Sequence, residues 1–226
     1  MSEALSRERV GGRTQGRVLE NLRDWTLRVG WLYGGLGGFG LSLALMVKAR
    51  LGLDPWDVLH QGVARCLGVP IGWVVIAVSA VVLVAWIPLR QRPGFGTASN
   101  VVVVGLVVNA ALGVIPSPGQ LALRMMMLAG AVVLNGAATA CYIGAGFGPG
   151  ARDGLMTGIA ARGHSIRLVR AAIEASVLGF GMILGGSVGV GTLLYALSIG
   201  PLVHFFLPRL APPVSSRHPR ADQGGP

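Results

Sequence analysis

The stretch DPWDVLH, residues 54–60, sets Asp54, Trp56, Asp57 and His60 close together in a chain otherwise poor in charge. Two carboxylates, an indole and an imidazole at one place can bind a small polar or charged molecule. The same residues can also start a helix. Asp54 suits the N-cap, Pro55 the first helical position, and Asp57 the third, where a carboxylate favours the positive helix end. A second stretch, GARDGLMTG (150–158), again places an aspartate, Asp153, three residues after its start, beside Arg152. Two readings stay open. In one, these aspartates are helix-start residues at the membrane interface, with Trp56 as an aromatic anchor. In the other, two short helices dip inward and their N-termini frame a polar site.

Further polar residues lie within apolar segments. Asn109 and His204 each follow a glycine, Gly105 and Gly200, by four residues, and are candidates for lining a polar path; bonding to a neighbouring helix is the alternative. Asn100, Asn135, Thr97 and Thr192 share that ambiguity. Glu174 follows Arg170 at the spacing of an ordinary helical ion pair. Cys66 and Cys141 have no metal or redox spacing and are expected to fill small apolar spaces.

Those residues must be carried by membrane helices. Hydrophobic residues make up 52% of the 226, charged residues 12%, and 36 are glycine. So little charge cannot cover a soluble domain of this length. Apolar segments near the length a bilayer core requires fall at about 31–47, 71–89, 98–116, 125–145, 168–186 and 190–207. The segments after 54 and after 150 are too short to cross; Leu59, Val63 and Leu67 give the first of them an apolar face. The net charge of +10 does not indicate nucleic-acid binding, because the cations sit in arms and connections rather than on a folded soluble surface.

The chain repeats itself at an offset of 95–96 residues. LGLDPWDVLHQGVA (51–64) lies over FGPGARDGLMTGIA (147–160), Leu27-Arg28 over Leu123-Arg124, and GFGT (94–97) over GVGT (189–192). Three spans per half make the copies enter from opposite sides, an inverted-topology repeat. With the N-terminus inside, 15 of the 19 lysines and arginines fall on the cytoplasmic side, leaving Lys48, Arg50, Arg65 and Arg124 outside.

Glycine-rich runs carry GxxxG spacing at Gly34 with Gly38 and at Gly181 with Gly185, which predicts close helix packing. GLGGFG (35–40) matches a dinucleotide fingerprint but lies within a span, with no strand before it. GGSVG (185–189) matches a nucleophile elbow but joins two membrane segments. No HExxH, paired-carboxylate or Cys/His metal pattern is present, so no enzyme, cofactor or metal is expected.

With these residues in view, the chain resembles the YczE/YyaS/YitT group of bacterial integral membrane proteins, most closely the YczE type. The resemblance rests on G-x-x-L-A-L-M-V-K-A-x-L-G-L-x-P-W-D-V-L-H-x-G at 40–62, the GxGT step at 94–97 and GARDGLMTG at 150–158, and covers roughly residues 28–208. It implies a multi-pass plasma-membrane protein and no particular substrate. In the second half Arg152 replaces the tryptophan and Met156 the histidine, so a symmetric site would have unlike walls.

The expected architecture is an all-α polytopic membrane protein. Six transmembrane helices form two inverted three-helix repeats, each with a short amphipathic or re-entrant helix after its first span. A basic cytoplasmic arm (1–27) precedes the repeats (28–118 and 119–208), and a disordered cytoplasmic tail (209–226) follows. The expected function is a small transporter or substrate-binding membrane protein. Its tentative site comprises Asp54, Trp56, Asp57, His60, Arg152, Asp153, Asn109 and His204, and its ligand is a small molecule or ion. The alternative is a non-transporting accessory or scaffold protein that supports another membrane or biosynthetic system. Beyond the lipid bilayer, a second copy or a membrane-protein partner fits the glycine-rich faces.

Overall fold

In the computed structural model, residues 2–211 are described, with side-chain surroundings from residue 22 onward. Of the tail expected to be disordered (209–226), Arg209 and Leu210 instead complete the last helix, and residues 212–226 lie outside the described residues. Eight helices occupy this region: α1 (Ser2–Ala49), α2 (Pro55–Leu67), α3 (Ile71–Leu89), α4 (Phe95–Val114), α5 (Leu121–Gly144), α6 (Ala151–Ala160), α7 (Ile166–Ile183) and α8 (Val190–Leu210). No strand occurs among the described residues. The segment expected to be an arm and the first span are continuous within α1.

Five helices are long and apolar enough to cross a membrane: α3, α4, α5, α8 and the Leu22–Ala49 part of α1. The sixth expected span, α7, falls short of that standard. It has 18 residues and carries Arg167, Arg170 and Glu174 in its first half. Large apolar side chains such as Val81, Ile87, Val114, Met126 and Val190 point outward, the arrangement a lipid solvent permits.

The helix ends explain the two short elements. Asp54 caps α2, its Oδ1 accepting the Asp57 N–H at 2.8 Å, and Pro55 supplies the first position. Gly68, in the left-handed conformation, stops the helix after 13 residues, about 20 Å at 1.5 Å per residue. The apolar face read from the sequence is only partly covered: Leu67 is exposed, Leu59 and Val63 are half-buried, and Trp56, Asp57, His60 and Ala64 are buried. That arrangement suits lipid as the solvent. Apolar residues can face outward, while polar ones must find partners within the protein.

The halves make equivalent contacts across each other. Arg28 at the start of α1 donates from Nε to the Ala145 carbonyl at the end of α5 (2.8 Å); Arg124 at the start of α5 donates to Ala49 at the end of α1 (2.7 Å). The first helices of the halves therefore pack antiparallel. The Gly96 N–H meets the Phe147 carbonyl at 2.9 Å, and the Gly191 N–H meets Leu51 at 2.7 Å. Gly52 and Gly148 share φ of 114°, a backbone region that glycine enters without strain. Helix α2 packs on α7, and α6 packs on α3, so each short helix lies against the other half.

Glycines make the tight crossings possible, but only some of those expected. A Cβ on Gly38 would lie 3.1 Å from the Ala138 side chain, and one on Gly181 would lie 2.5 Å from the Leu59 nitrogen. Gly34 and Gly185 are corrections: neither has a neighbour within 4 Å. On α1 the contact belongs to Gly35, whose Cβ would come within 2.8 Å of the Ala138 carbonyl oxygen; Gly185 is a turn residue with φ of 85°. Cys66 is likewise exposed rather than filling an apolar space, and both cysteines are free thiols.

Candidate functional site

The N-termini of α2 and α6 face each other inside the protein. Arg152, at the start of α6, reaches across to both carboxylates at the start of α2. Its Nη1 lies 3.4 Å from Asp54 Oδ2 and its Nη2 lies 3.0 Å from Asp57 Oδ1. Both aspartates are fully buried, while the Arg152 side chain is 20% exposed. Burial makes the pairing necessary, because an isolated charge out of water costs several kcal/mol by order of magnitude. The guanidinium also lies over the Trp56 ring at 5.3 Å, a cation–π contact.

Asp57 has a second partner. Its Oδ1 is 3.0 Å from His60 Nδ1, one turn along α2, and His60 is wholly buried. His60 Nε2 and Trp56 Nε1 are buried without a hydrogen-bond partner. Asp153, third in α6, accepts a hydrogen bond from the Tyr142 hydroxyl at 2.9 Å. Arg170 Nε and Glu174 Oε1 form the expected helical pair at 2.8 Å.

A cavity of about 360 Å³ opens beside this cluster. Both halves line it. The starts of α2 and α6 contribute Asp54, Trp56, Arg152 and Asp153; Phe39, Tyr142 and Tyr195 add aromatic surface; Arg170, Glu174 and His204 add charged or polar groups. Six of the eight site residues expected from sequence therefore gather around one point, with His60 behind Asp57 and His204 further along the cavity wall. Asn109 does not join them. Its Oδ1 accepts the Gly72 N–H at 2.9 Å, so it holds the start of α3 against α4. The expected equivalence of Asn109 and His204 is thus broken: one is a structural bond and the other a lining residue.

Tyr142, Tyr195 and Thr139 line the cavity without having been singled out in the sequence. Tyr142 lay in reach of such reasoning, because it sits near the end of a span, eight residues before Gly150. Among the described residues, no group of three or more His, Cys, Asp or Glu side chains is arranged to hold a metal ion.

Apolar helices sheltering a buried ion-pair cluster define a helical membrane protein of the multi-pass class. A family model described as a family of unknown function, DUF6198, matches residues 26–208. The chain belongs to that family. An uncharacterized protein of Haemophilus influenzae is 42% identical over 169 residues, 74% of this chain and 78% of its own length. The uncharacterized membrane protein YczE of Bacillus subtilis is 31% identical, over 76% of this chain and 80% of that one. The uncharacterized protein YyaS of the same organism is 28% identical, over 79% and 92%. The sequence resemblance to the YczE type therefore holds. No solved structure matches the chain.

Proposed function

We propose that this protein is a small membrane transporter that binds its substrate in the cavity between its two halves. The observation that carries the reading is the bridge from Arg152 on α6 to Asp54 and Asp57 on α2, at the wall of a cavity lined by both halves. Paired interrupted segments whose helix N-termini meet at an internal site are the plan of many secondary transporters.

On this reading α7 serves as the sixth span, its charged first half turned to the cavity through Arg170 and Glu174 rather than to lipid. The halves are then inverted repeats with both termini in the cytoplasm, and α2 and α6 are re-entrant helices that leave the middle of the membrane toward opposite faces. The two halves line the cavity unequally. Thr139, Tyr142 and His204 line it, whereas their repeat equivalents Leu43 and Met46 are buried and Asn109 is bonded to Gly72. Exchange of these roles between the halves would expose the site to the other side, which is alternating access.

A second reading, an accessory protein that supports another membrane system, has one observation in its favour. Gly30 and Gly34 leave the outer face of α1 open to close approach by another helix. A thermal-shift screen of the purified protein in detergent against metabolites and ions separates the two readings. A ligand at 100 times its dissociation constant adds about 2.7 kcal/mol of stability. The transporter reading expects such a ligand, and expects Thr139→Trp, which fills the cavity, to abolish its effect. If no compound stabilises the wild type, or the Thr139→Trp variant responds equally, the transporter reading fails.

A further inference from the structure

Resting on that reading, we infer that the cavity selects a small organic monocation, such as a quaternary or protonated amine. The charges around the cavity do not balance. Asp54, Asp153 and Glu174 line it, Asp57 joins them through its bond to Arg152, and among the described residues the lining cations are Arg152 and Arg170. Arg152 is shared by two carboxylates and Arg170 is paired with Glu174. Asp153 forms no ion pair among the described residues; its bonded partner is the neutral Tyr142 hydroxyl. The formal excess is two negative charges. The N-termini of α2 and α6 offset part of it, at roughly half a positive charge each, leaving about one negative charge in excess. A cation on the bound molecule would balance it.

The walls choose among cations. Phe39, Trp56, Tyr142 and Tyr195 give the cavity aromatic surface, which attracts alkylammonium groups through their ring faces. No three-carboxylate or histidine arrangement suited to a divalent metal is present among the described residues.

The charge of the cavity is read without knowing the physiological ligand. In full-length protein in nanodiscs, with Cys66→Ala and Cys141→Ala, a Thr139→Cys thiol is reacted with trimethylammonioethyl methanethiosulfonate and sulfonatoethyl methanethiosulfonate. The ratio of the two rates is divided by the same ratio for a free thiol in solution. A negative cavity gives a normalised preference for the cationic reagent of about tenfold or more, reduced by Asp153→Asn. Choline and its uncharged carbon isostere, 3,3-dimethyl-1-butanol, then test selectivity. Choline should slow modification of the introduced thiol, and the isostere should not. A normalised ratio at or below one, or equal protection by both compounds, overturns the inference. So does a preference that persists while choline gives no protection. If neither reagent reaches the introduced thiol, the cavity itself, and with it the transporter reading, is what fails.

Discussion

Replacing Arg152 by methionine removes the one cation that, among the described residues, reaches both Asp54 and Asp57, while keeping much of its alkyl volume. The two carboxylates are fully buried, joined to Arg152 at 3.4 and 3.0 Å. Breaking a buried ion pair from one side costs about 3–5 kcal/mol, because the remaining charge stays buried without a partner. The Arg152 side chain is 20% exposed, so some screening by water places the expected cost at the lower end, about 3 kcal/mol. For a chain of this size each kcal/mol moves the melting midpoint by about 2–4 °C, which makes the expected drop about 6–12 °C. The assay is thermal unfolding in detergent, followed by intrinsic tryptophan fluorescence. The decisive variant adds Asp54→Asn and Asp57→Asn to Arg152→Met. Asparagine keeps the cap on α2 while removing both charges. If uncompensated charge is the cause, the triple variant recovers most of the lost midpoint, and the non-additivity measures the coupling. A single variant that melts within 2 °C of wild type, by order of magnitude less than 1 kcal/mol, would refute the reasoning. So would a triple variant no more stable than the single one.

Other consequences are simpler. Gly35→Ala forces a Cβ to within 2.8 Å of the Ala138 carbonyl oxygen and should cost about 1–3 kcal/mol. Gly34→Ala, in open space one residue away, should be neutral or gain up to about 1 kcal/mol from helix propensity; equal melting of the two variants would contradict the packing. Gly154→Ala should lower the midpoint as well, since its Cβ would fall 2.0 Å from the Trp86 ring, a group too confined to step aside. Arg28→Gln and Arg124→Gln each remove charged hydrogen bonds to the end of the opposite first helix, at about 1.5 kcal/mol. Their effects should be similar in size, and a severalfold difference in urea or thermal unfolding would show that the two contacts are not energetically equivalent. For the inverted arrangement, native Cys66 should react with an impermeant maleimide added to intact cells. A His164→Cys thiol in a Cys66→Ala background should react only after permeabilisation. Both positions are exposed at the ends of the short helices, and labelling from the same side would remove the re-entrant, inverted arrangement.

Much of the architecture was legible because it is local or periodic. Apolar length marked five of the six expected spans, and Asp54-Pro55 marked the start of α2, where the cap and the first-position proline act within one turn. The internal offset pointed to Arg28 and Arg124 as equivalents, and they make matching bonds. Three things were not legible. The direction in which α2 shows its apolar face depends on whether lipid or protein lies outside it. The choice of Gly35 over Gly34 as a contact depends on the azimuth at which α5 crosses α1. The parting of Asn109 from His204 depends on what packs beside each, the Gly72 N–H for Asn109 and the cavity for His204.

The site divides in the same way. Residue types and spacing alone were enough to gather Asp54, Trp56 and Asp57 at one helix start and to place Arg152 and Asp153 at another, because capping and helix polarity act over a few residues. That these two starts meet is a tertiary fact. Asp54 and Arg152 are 98 residues apart, and their pairing arises because each short helix packs on the other half and brings its N-terminus inward. Once there, burial removes water as a partner for the carboxylates, and the arginine from the opposite half supplies the positive charge that His60 and the helix cap do not.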